Sequence, residues 1–344
     1  MARVTITEIA RRSGVSKGAV SYVLNDRPGV SDATRARVLQ VARELNWVPN
    51  RAARALSGAK TDTYGLVLPR KAEDIGHEPY YMEFIAGLES VLGERSLALM
   101  LQVVPDVATA AATYRKWWSE RRVDGVVVVD VRVDDPRVAL LQEIGMPAVV
   151  VGHPSLAGGL PSVGTDDAAA VADVVAHLAG LGHRAIARVA GPAELSHTRI
   201  RDEALAAAAA GHGVRARTVH SDFSADGGAT ATRALLGGPR PPTAIVYDND
   251  LMAVAGLSAA TGLGIRVPDD VSLVAWDDSA LCRATHPTLT AMGHDVAAYG
   301  AAVARRLLGA EVVPRLVRAA LRERASCAAS PATAAPVSRA RTSS

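Results

Sequence analysis

The sequence predicts a two-part chain: a small all-α helix-turn-helix unit with a short connecting helix, followed by an α/β body of two parallel-sheet subdomains. Residues 4–56 carry helix starts and stops at the spacing of two helices joined by a glycine-containing turn, and from Thr61 onward strands and helices alternate. Charge divides the chain the same way. Residues 1–60 hold 11 Lys and Arg against 4 Asp and Glu (+7), residues 314–344 hold 6 against 1 (+5), and the middle holds 21 against 30 (−9).

Thr5 and Glu8 have the spacing of a capping box, in which hydroxyl and carboxylate each satisfy a backbone N–H, so a first helix is expected from Ile6. Ile6, Ile9 and Ala10 share one face of it, and Gly14 supplies the left-handed residue that ends it. Ser16 caps a second helix that runs to Leu24, with Ala19, Val20, Val23 and Leu24 turned inward and Asn25 as its end. Ser31 opens a third helix, whose Val38, Ala42 and Leu45 face the other two. In a helix-turn-helix the first residues of the second helix meet base edges in the major groove while nearby cations hold phosphates. That puts Lys17, Gly18 and Tyr22 over the bases. Lys17 can donate to the O6/N7 edge of guanine, Tyr22 offers a hydroxyl or ring contact, and Gly18 either reduces readout or admits a thymine methyl. Taken alone, the three read equally well as the solvated face of a helical bundle.

Asn46-Trp47-Val48-Pro49 breaks the third helix; Asn50 then caps a helix-forming run, Arg51 to Ser57, that Gly58 stops. Helices shorter than about 12–15 residues are marginal in water, so this segment is expected to order only against a partner. The basic amino end can release counterions from a duplex, whereas the acidic body is repelled by one.

In the body, the pattern predicts strands at 64–68, 97–103, 125–131 and 148–151, with helices at 80–94, 108–119 and 138–144 between them. A second unit begins near Val163. Its helices are expected at 167–180, 198–210, 227–236 and 251–261, and its strands at 185–190, 217–220, 243–247 and 272–276. Such sheets take ligands at the carboxyl ends of their strands.

The runs VTITEIARRSGVSKGAVSYVLN, VSDATRARVLQVARELNWVPN and ARAL resemble the headpiece of the lactose-repressor/galactose-repressor family of bacterial transcription regulators. GLGHRAIA, YDNDLMAVAGLSAATGLGIRVPDDVSLVAWDDSAL and HPTLTAM resemble the family's ligand-binding core, itself similar to periplasmic sugar-binding proteins. The resemblance implies a homodimer bound to a pseudo-palindromic operator in double-stranded DNA, and a small-molecule effector, a sugar by preference, between two subdomains. It implies a hinge helix that forms on the operator, pairs with its copy and pushes a leucine into the minor groove. Leu56 stands at that leucine, with Ala53 and Ala55 small enough for close pairing. The DNA-binding set it implies is Thr5, Ser16, Lys17, Gly18, Ser21, Tyr22, Asn25 and Ser31, then Asn50, Arg54, Ala55 and Leu56 of the hinge. Arg199, Phe223, Asn249 and Asp277 fall where the family contacts its effector, and Tyr80 or Tyr81 supplies an aromatic wall. Where the family has Gly-Phe after its arginine, this chain has Asp202 and Glu203, which makes Arg201 an alternative to Arg199. Asp248 either favours a basic or amino-bearing ligand or is solvated.

The expected boundaries are 1–49 for the headpiece, 50–60 for the hinge and linker, and 61–327 for the effector-binding and dimerisation domain. The last divides into 61–162 plus about 293–320 and 163–292 plus about 321–327, and 328–344, rich in Ala, Ser, Pro and Arg, is expected to be disordered. No secretory signal and no apolar run near the ~18 residues of a membrane span occur, and the two cysteines are too few for a disulfide framework, so a cytoplasmic protein with no membrane partner is expected. No phosphate loop, paired-cysteine or His-Glu-x-x-His spacing, or nucleophile elbow appears, so neither a cofactor, a metal nor catalysis is expected. The alternatives are a sugar-binding or sugar-modifying protein without a regulatory role, or a regulator answering to a nucleobase or a protein. No C-terminal leucine heptad is evident, which favours dimers over tetramers.

Overall fold

Residues 4–24, 27–47, 60–70, 76, 78–311 and 316–331 are described by a computed structural model in two compact units, 1–62 and 63–344. In the first unit, α1 (Ile6–Ser13), α2 (Lys17–Leu24) and α3 (Asp32–Glu44) close over Ile9, Val20 and Val38, none of which keeps any exposed surface. Gly14 ends α1 with φ 67°, a conformation that costs a side-chain-bearing residue steric energy. The hydroxyl of Ser16 accepts the Ala19 N–H at 3.1 Å, and that of Ser31 accepts the Thr34 N–H at 3.4 Å. The expected capping box does not form. Thr5 is the capping residue, but its side chain makes no capping bond. Glu8 turns instead to Arg11 at 2.6 Å and Arg12 at 2.9 Å, because two charge-assisted bonds outweigh one to a neutral N–H. Asn25 and the hinge residues Asn50, Arg54, Ala55 and Leu56 lie outside the described residues.

The second unit is built on two six-stranded sheets. The first contains β1 (Thr63–Pro69), β2 (Ala98–Val104), β3 (Gly125–Val128), β4 (Ala148–Val151), β5 (Ser162–Thr165) and β11 (Leu316–Val317), in the order β11-β5-β4-β3-β1-β2. The second contains β6 (Ala185–Ala190), β7 (Arg215–His220), β8 (Ala244–Tyr247), β9 (Ser272–Trp276), β10 (Thr290–Gly293) and β12 (Ala320–Arg322), in the order β12-β10-β9-β8-β6-β7. Central strands such as β3 and β8 are buried at every residue, as short unbroken Val/Ile runs require when helices cover both faces. Among the described residues the strand pairings within the two sheets are parallel except β10 with β12, an antiparallel edge that the alternating pattern did not announce.

Helices α4 (Pro79–Glu94), α5 (Val107–Ser119) and α6 (Pro136–Glu143) serve the first sheet, and α7 (Asp167–Gly180), α8 (Ser196–Gly211), α9 (Ala225–Leu236), α10 (Asp250–Gly262) and α11 (Ala280–Ala284) serve the second. The chain then returns, and α12 (Val296–Leu307) packs with α4 around Phe84, Leu88 and Tyr299. Gly87 and Gly300 let these two backbones meet, since a Cβ on either would collide with a carbonyl of the other helix. The connection therefore crosses between subdomains near 166, 294 and 318. The first crossing lies beyond Ser162–Thr165, which the first sheet takes as β5, so the expected start of the second unit near Val163 falls inside the first subdomain and the crossing lies a few residues later. The tail expected to be disordered is pinned at its start. The Ala328 N–H donates to Ser272 Oγ at 3.2 Å, and the Ser330 N–H to the Leu181 carbonyl at 2.8 Å; 332–344 lie outside the described residues.

Candidate functional site

In the first unit, the exposed side of α2 carries Lys17, Gly18 and Tyr22, the last 45% exposed. A Cβ at Gly18 would meet only Ser16 Oγ, at 3.8 Å, so this spot is open enough to admit a base edge or a methyl. Tyr22 lies along Gly29, whose absent side chain leaves its ring a flat seat. The hydroxyl oxygens of Ser16 and Ser31 accept backbone N–H groups at their helix starts, and the Ser31 O–H itself donates to Thr34 Oγ1 at 3.0 Å.

In the second unit, a cavity opens where the strands of both sheets end. Its wall residues follow those ends in turn: Arg70 after β1, Asp130 after β3, His153 after β4, Thr165 at the end of β5, Phe223 after β7, Asp248 after β8, Asp277 after β9 and His294 after β10. Helix α4 adds Tyr80 and Tyr81, and α8 adds Ser196, His197, Ile200 and Arg201. Asp130, Phe223 and Asp277 hold φ of 51°, 68° and 81°, costly for residues with side chains. Backbone strain gathers at binding sites because the surrounding fold holds it there.

Arg70 donates to both oxygens of Asp130 at 2.8 and 3.2 Å and to Glu78 at 2.9 Å, and the Tyr81 hydroxyl donates to Asp130 at 2.7 Å. Burial alone would raise the Asp130 pKa; the charge and hydrogen bonds of Arg70 outweigh it and hold the carboxyl far below the ordinary range. The guanidinium lies 5.0 Å from the ring centre of Tyr81 and 5.1 Å from that of Phe223, so it reaches from one subdomain to the other. Nearby, the Ser196 N–H donates to the Val131 carbonyl at 2.9 Å, a second cross-cleft tie.

The run Asp248-Asn249-Asp250 divides three tasks. Asp248 accepts Arg188 at 2.7 and 2.5 Å and the Gly191 N–H at 3.1 Å, which corrects the expectation that it is solvated or receives a basic ligand. Asn249 caps α10 through the Met252 N–H at 2.9 Å and donates to the Phe223 carbonyl at 3.0 Å, so both ends of its amide are spent holding the wall rather than forming it. Asp250 accepts the Ser279 N–H at 2.6 Å.

Arg199, expected to touch the effector, stands away from the cavity, 60% exposed, and pairs with Glu203 at 3.1 Å. Two residues along a helix turn the side chain by about 200°, so α8 presents Arg201 where Arg199 cannot reach. Arg201 donates to Asp167 at 2.7 Å and lies 4.3 Å over the Trp276 ring. Asp202, at the departure from Gly-Phe, serves as second partner of Arg188 at 2.8 Å. Asp277 lines the cavity, and its side chain makes no hydrogen bond among the described residues; burial, then Asp250, Glu78 and Asp248, push its carboxyl well above the ordinary range against the pull of Arg201. Of the two tyrosines, both line the wall. Arg70, Glu78, Asp130, Asp167, His197 and His294 went unread. Their common signal is position, one to two residues beyond a buried strand or at the start of a helix, where Glu78 is the capping residue before α4.

Burial pushes His197 and His294 down to about 4, and the nearby charge of Arg201 adds to the effect, so both rings are neutral at pH 7. The unfolded chain takes up these two protons near pH 6.5 and the folded chain only near 4. Stability should therefore fall as pH drops from 7 to 4 and level off below. By urea unfolding, wild type is expected to lose roughly 4–6 kcal/mol more over that range than His197→Gln/His294→Gln. Equal losses in the two proteins would place the acid sensitivity elsewhere.

Residues 5–50 match the model of the bacterial regulatory proteins of the lacI family, and 175–327 match a periplasmic binding protein-like domain. The HTH-type transcriptional regulator CelR of Thermobifida fusca is 32% identical over 317 residues, covering 89% of this chain and 91% of that one. A solved CelR–cellobiose complex is 30% identical with a TM-score of 0.69, covering 94% of this chain and all of that one. A lac repressor dimer bound to operator and the anti-inducer ONPF is 26% identical with a TM-score of 0.82, covering 95% and 100%. A basic three-helix headpiece ahead of a cleft-bearing body of two parallel sheets, matched along nine-tenths of its length, makes this chain a member of the LacI family of DNA-binding bacterial transcription regulators.

Proposed function

We propose that the chain acts as a cytoplasmic, dimeric repressor whose grip on a pseudo-palindromic operator is set by a neutral sugar bound in the cleft between the subdomains. The observation that carries the ligand class is the state of the cavity's charges. Arg70 and Arg201 on its wall and Arg188 behind it are each already paired with acids, so no guanidinium is free to receive an anionic ligand. The groups left to the ligand include the Asp277 carboxyl, the neutral rings of His197 and His294, the Tyr80 ring and the edge of Phe223. A ring with an apolar face and a rim of hydroxyls suits such a wall. The CelR complex with cellobiose and the lac repressor dimer on its operator support the same reading.

A thermal-shift screen over neutral sugars, uronates, sugar phosphates and nucleobases tests the ligand class, because a ligand that prefers the folded state raises its melting temperature. A neutral sugar is expected to stabilise the protein and anionic sugars to leave it unchanged; stabilisation by nucleobases alone would replace the reading. For the hinge, Leu56→Ala is expected to weaken operator binding by about tenfold or more in fluorescence anisotropy, with effector affinity unchanged. Equal DNA affinity in the two proteins would remove the leucine from the mechanism.

A further inference from the structure

The loop from β3 to α6, residues 129–136, serves the cleft twice. Its Asp130 carboxylate anchors Arg70, and its next residues reach across to the other subdomain. The Val131 carbonyl accepts the Ser196 N–H at 2.9 Å and the Ser196 hydroxyl at 2.5 Å, Arg132 and Leu195 form an antiparallel bridge, and Arg132 pairs with Glu194 at 3.6 Å. Leu195 and Ser196 open α8, the helix that brings His197 and Arg201 to the cavity, so this bridge fixes where that helix stands. The loop does not take such a shape by itself. Asp130 and Asp134 hold φ of 51° and 54°, a region that costs residues with a Cβ steric energy.

Behind the cavity one side chain holds it. Arg137, with no exposed surface, donates through Nη2 to the carbonyls of Val129 at 3.0 Å and Asp130 at 2.9 Å, and through Nε and Nη2 to Asp135 at 3.0 and 2.7 Å. Asp135 passes the grip on. One of its oxygens accepts the Arg137 N–H at 2.9 Å and the other the Arg132 N–H at 3.0 Å, so the carboxylate ties both ends of the turn. The guanidinium is turned toward the loop at a cost, since Arg137 Nη1 and the Tyr114 hydroxyl are buried with no hydrogen-bond partner among the described residues. An arginine kept only to neutralise Asp135 would gain nothing by crowding three bonds onto one nitrogen.

We infer that Arg137, which is absent from the cavity wall, is the positioning residue that sets closure of the two subdomains: it locks residues 129–136 in the shape that presents Asp130 to Arg70 and the Val131 carbonyl to Ser196. Such a lock acts whatever occupies the cleft, and so stands apart from the sugar reading. A planar fork can meet a carboxylate along one edge and two consecutive carbonyls beyond it; a lysine keeps the charge opposite Asp135 and lets the carbonyls go. With the loop released, the bridge parts more often, and the balance between open and closed cleft moves toward open. Arg137 thereby reaches the response to effector without touching it.

Hydrogen–deuterium exchange on the full chain without ligand tests this in wild type, Arg137→Lys and the near-isosteric Asp135→Asn. The Ser196 N–H is the informative amide: as the first residue of α8 it has no partner within the helix, and its protection comes from Val131 of the opposite subdomain. Val127 in the first sheet and Ile245 in the second, both fully buried, report the stability of each core. In both variants Ser196 is expected to exchange at least about tenfold faster than in wild type, and to accelerate by more than either core amide. Should Arg137→Lys not fold, Asp135→Asn, which puts an NH2 donor where a carboxylate oxygen accepted, decides alone. A Ser196 rate that stays unchanged, or that only keeps pace with Val127 and Ile245, would overturn the lock and leave Arg137 a support of its own subdomain.

Discussion

Gly191→Ala is expected to abolish the response to effector while leaving operator recognition intact. Gly191 follows β6 behind the Phe223 ring, and a methyl group there would fall well inside contact distance of the ring atoms Cζ, Cε1 and Cε2. The ring has little room to yield. Its backbone is held at φ 68° with the carbonyl bonded to Asn249, Arg70 sits over one side, and His197 stacks at 6.2 Å. The methyl must therefore drive the ring into the cavity or push it off the Arg70 guanidinium. Overpacking of this kind costs about 1–3 kcal/mol, so effector affinity should fall about 10–100-fold. Residues 1–62, a separate compact unit, are untouched, so DNA affinity without effector should match wild type. Calorimetry with the stabilising sugar and anisotropy with operator separate the two readouts. Unchanged effector affinity would mean that Phe223 does not bound the site.

How far the site was legible follows from what kind of signal each residue leaves. Helix and strand periods located α1 to α10, β1 to β4 and β6 to β9, because Val-rich buried strands and capped helices write themselves into four to sixteen consecutive residues, while α11, α12, β11 and β12, beyond Trp276, went unassigned. Ser162–Thr165 and Thr290–Gly293 escaped because a four-residue strand containing glycine and threonine has neither alternation nor an apolar run. The wall residues escaped for another reason. Arg70, Asp130 and His294 are set by the strand ends they follow, and nothing in their own neighbourhood of sequence says that three distant strand ends converge. The Arg199 expectation failed by a rotation: spacing along the chain suited either arginine, and only the helix phase of α8 separates them. Glu8 shows the same limit at short range, since the capping-box spacing was present and a better pair of partners stood one turn away.

The convergence of strand ends also gives the cleft something to signal with. The two subdomains meet through Arg70 on Phe223, through the Ser196 N–H on Val131, and through Arg132 with Glu194 at 3.6 Å, all at the mouth where a ligand must pass. A ligand that rewards this closed arrangement, or one that disrupts it, shifts the balance between subdomain positions by its difference in affinity for the two. The three crossings near 166, 294 and 318 are short, so they restrict the motion to a hinge rather than a separation.

Arg188→Ala is expected to destabilise the body by about 3–5 kcal/mol, the cost of leaving a buried acid without its partner. Arg188 is 1% exposed on β6, between β8 and the edge strand β7 of the second sheet, and holds Asp248 through two bonds and Asp202 through one. Without it Asp248 keeps the Gly191 N–H and a distant Arg201 at 3.8 Å, too little for a charge removed from water. At about 2–4 °C per kcal/mol for a domain of this size, the melting temperature should fall by roughly 6–20 °C, against a total stability of about 5–15 kcal/mol. Removing both charges with Arg188→Met/Asp248→Leu should recover most of the loss, since Asp202, 29% exposed, can turn to water. The sign with pH identifies the cause. In wild type, burial opposes ionisation of Asp248 but Arg188 and Arg201 hold its pKa below the unfolded value, so this contribution is present above about pH 4 and is lost as pH falls through the folded pKa. In the variant the same burial, now without Arg188, raises the pKa, and protonation relieves the stranded charge. Both changes narrow the gap between the proteins as acid is added. A gap that stays constant from pH 7 to 4 in calorimetric scans would mean that Arg188 supports the sheet by filling space and not by neutralising Asp248.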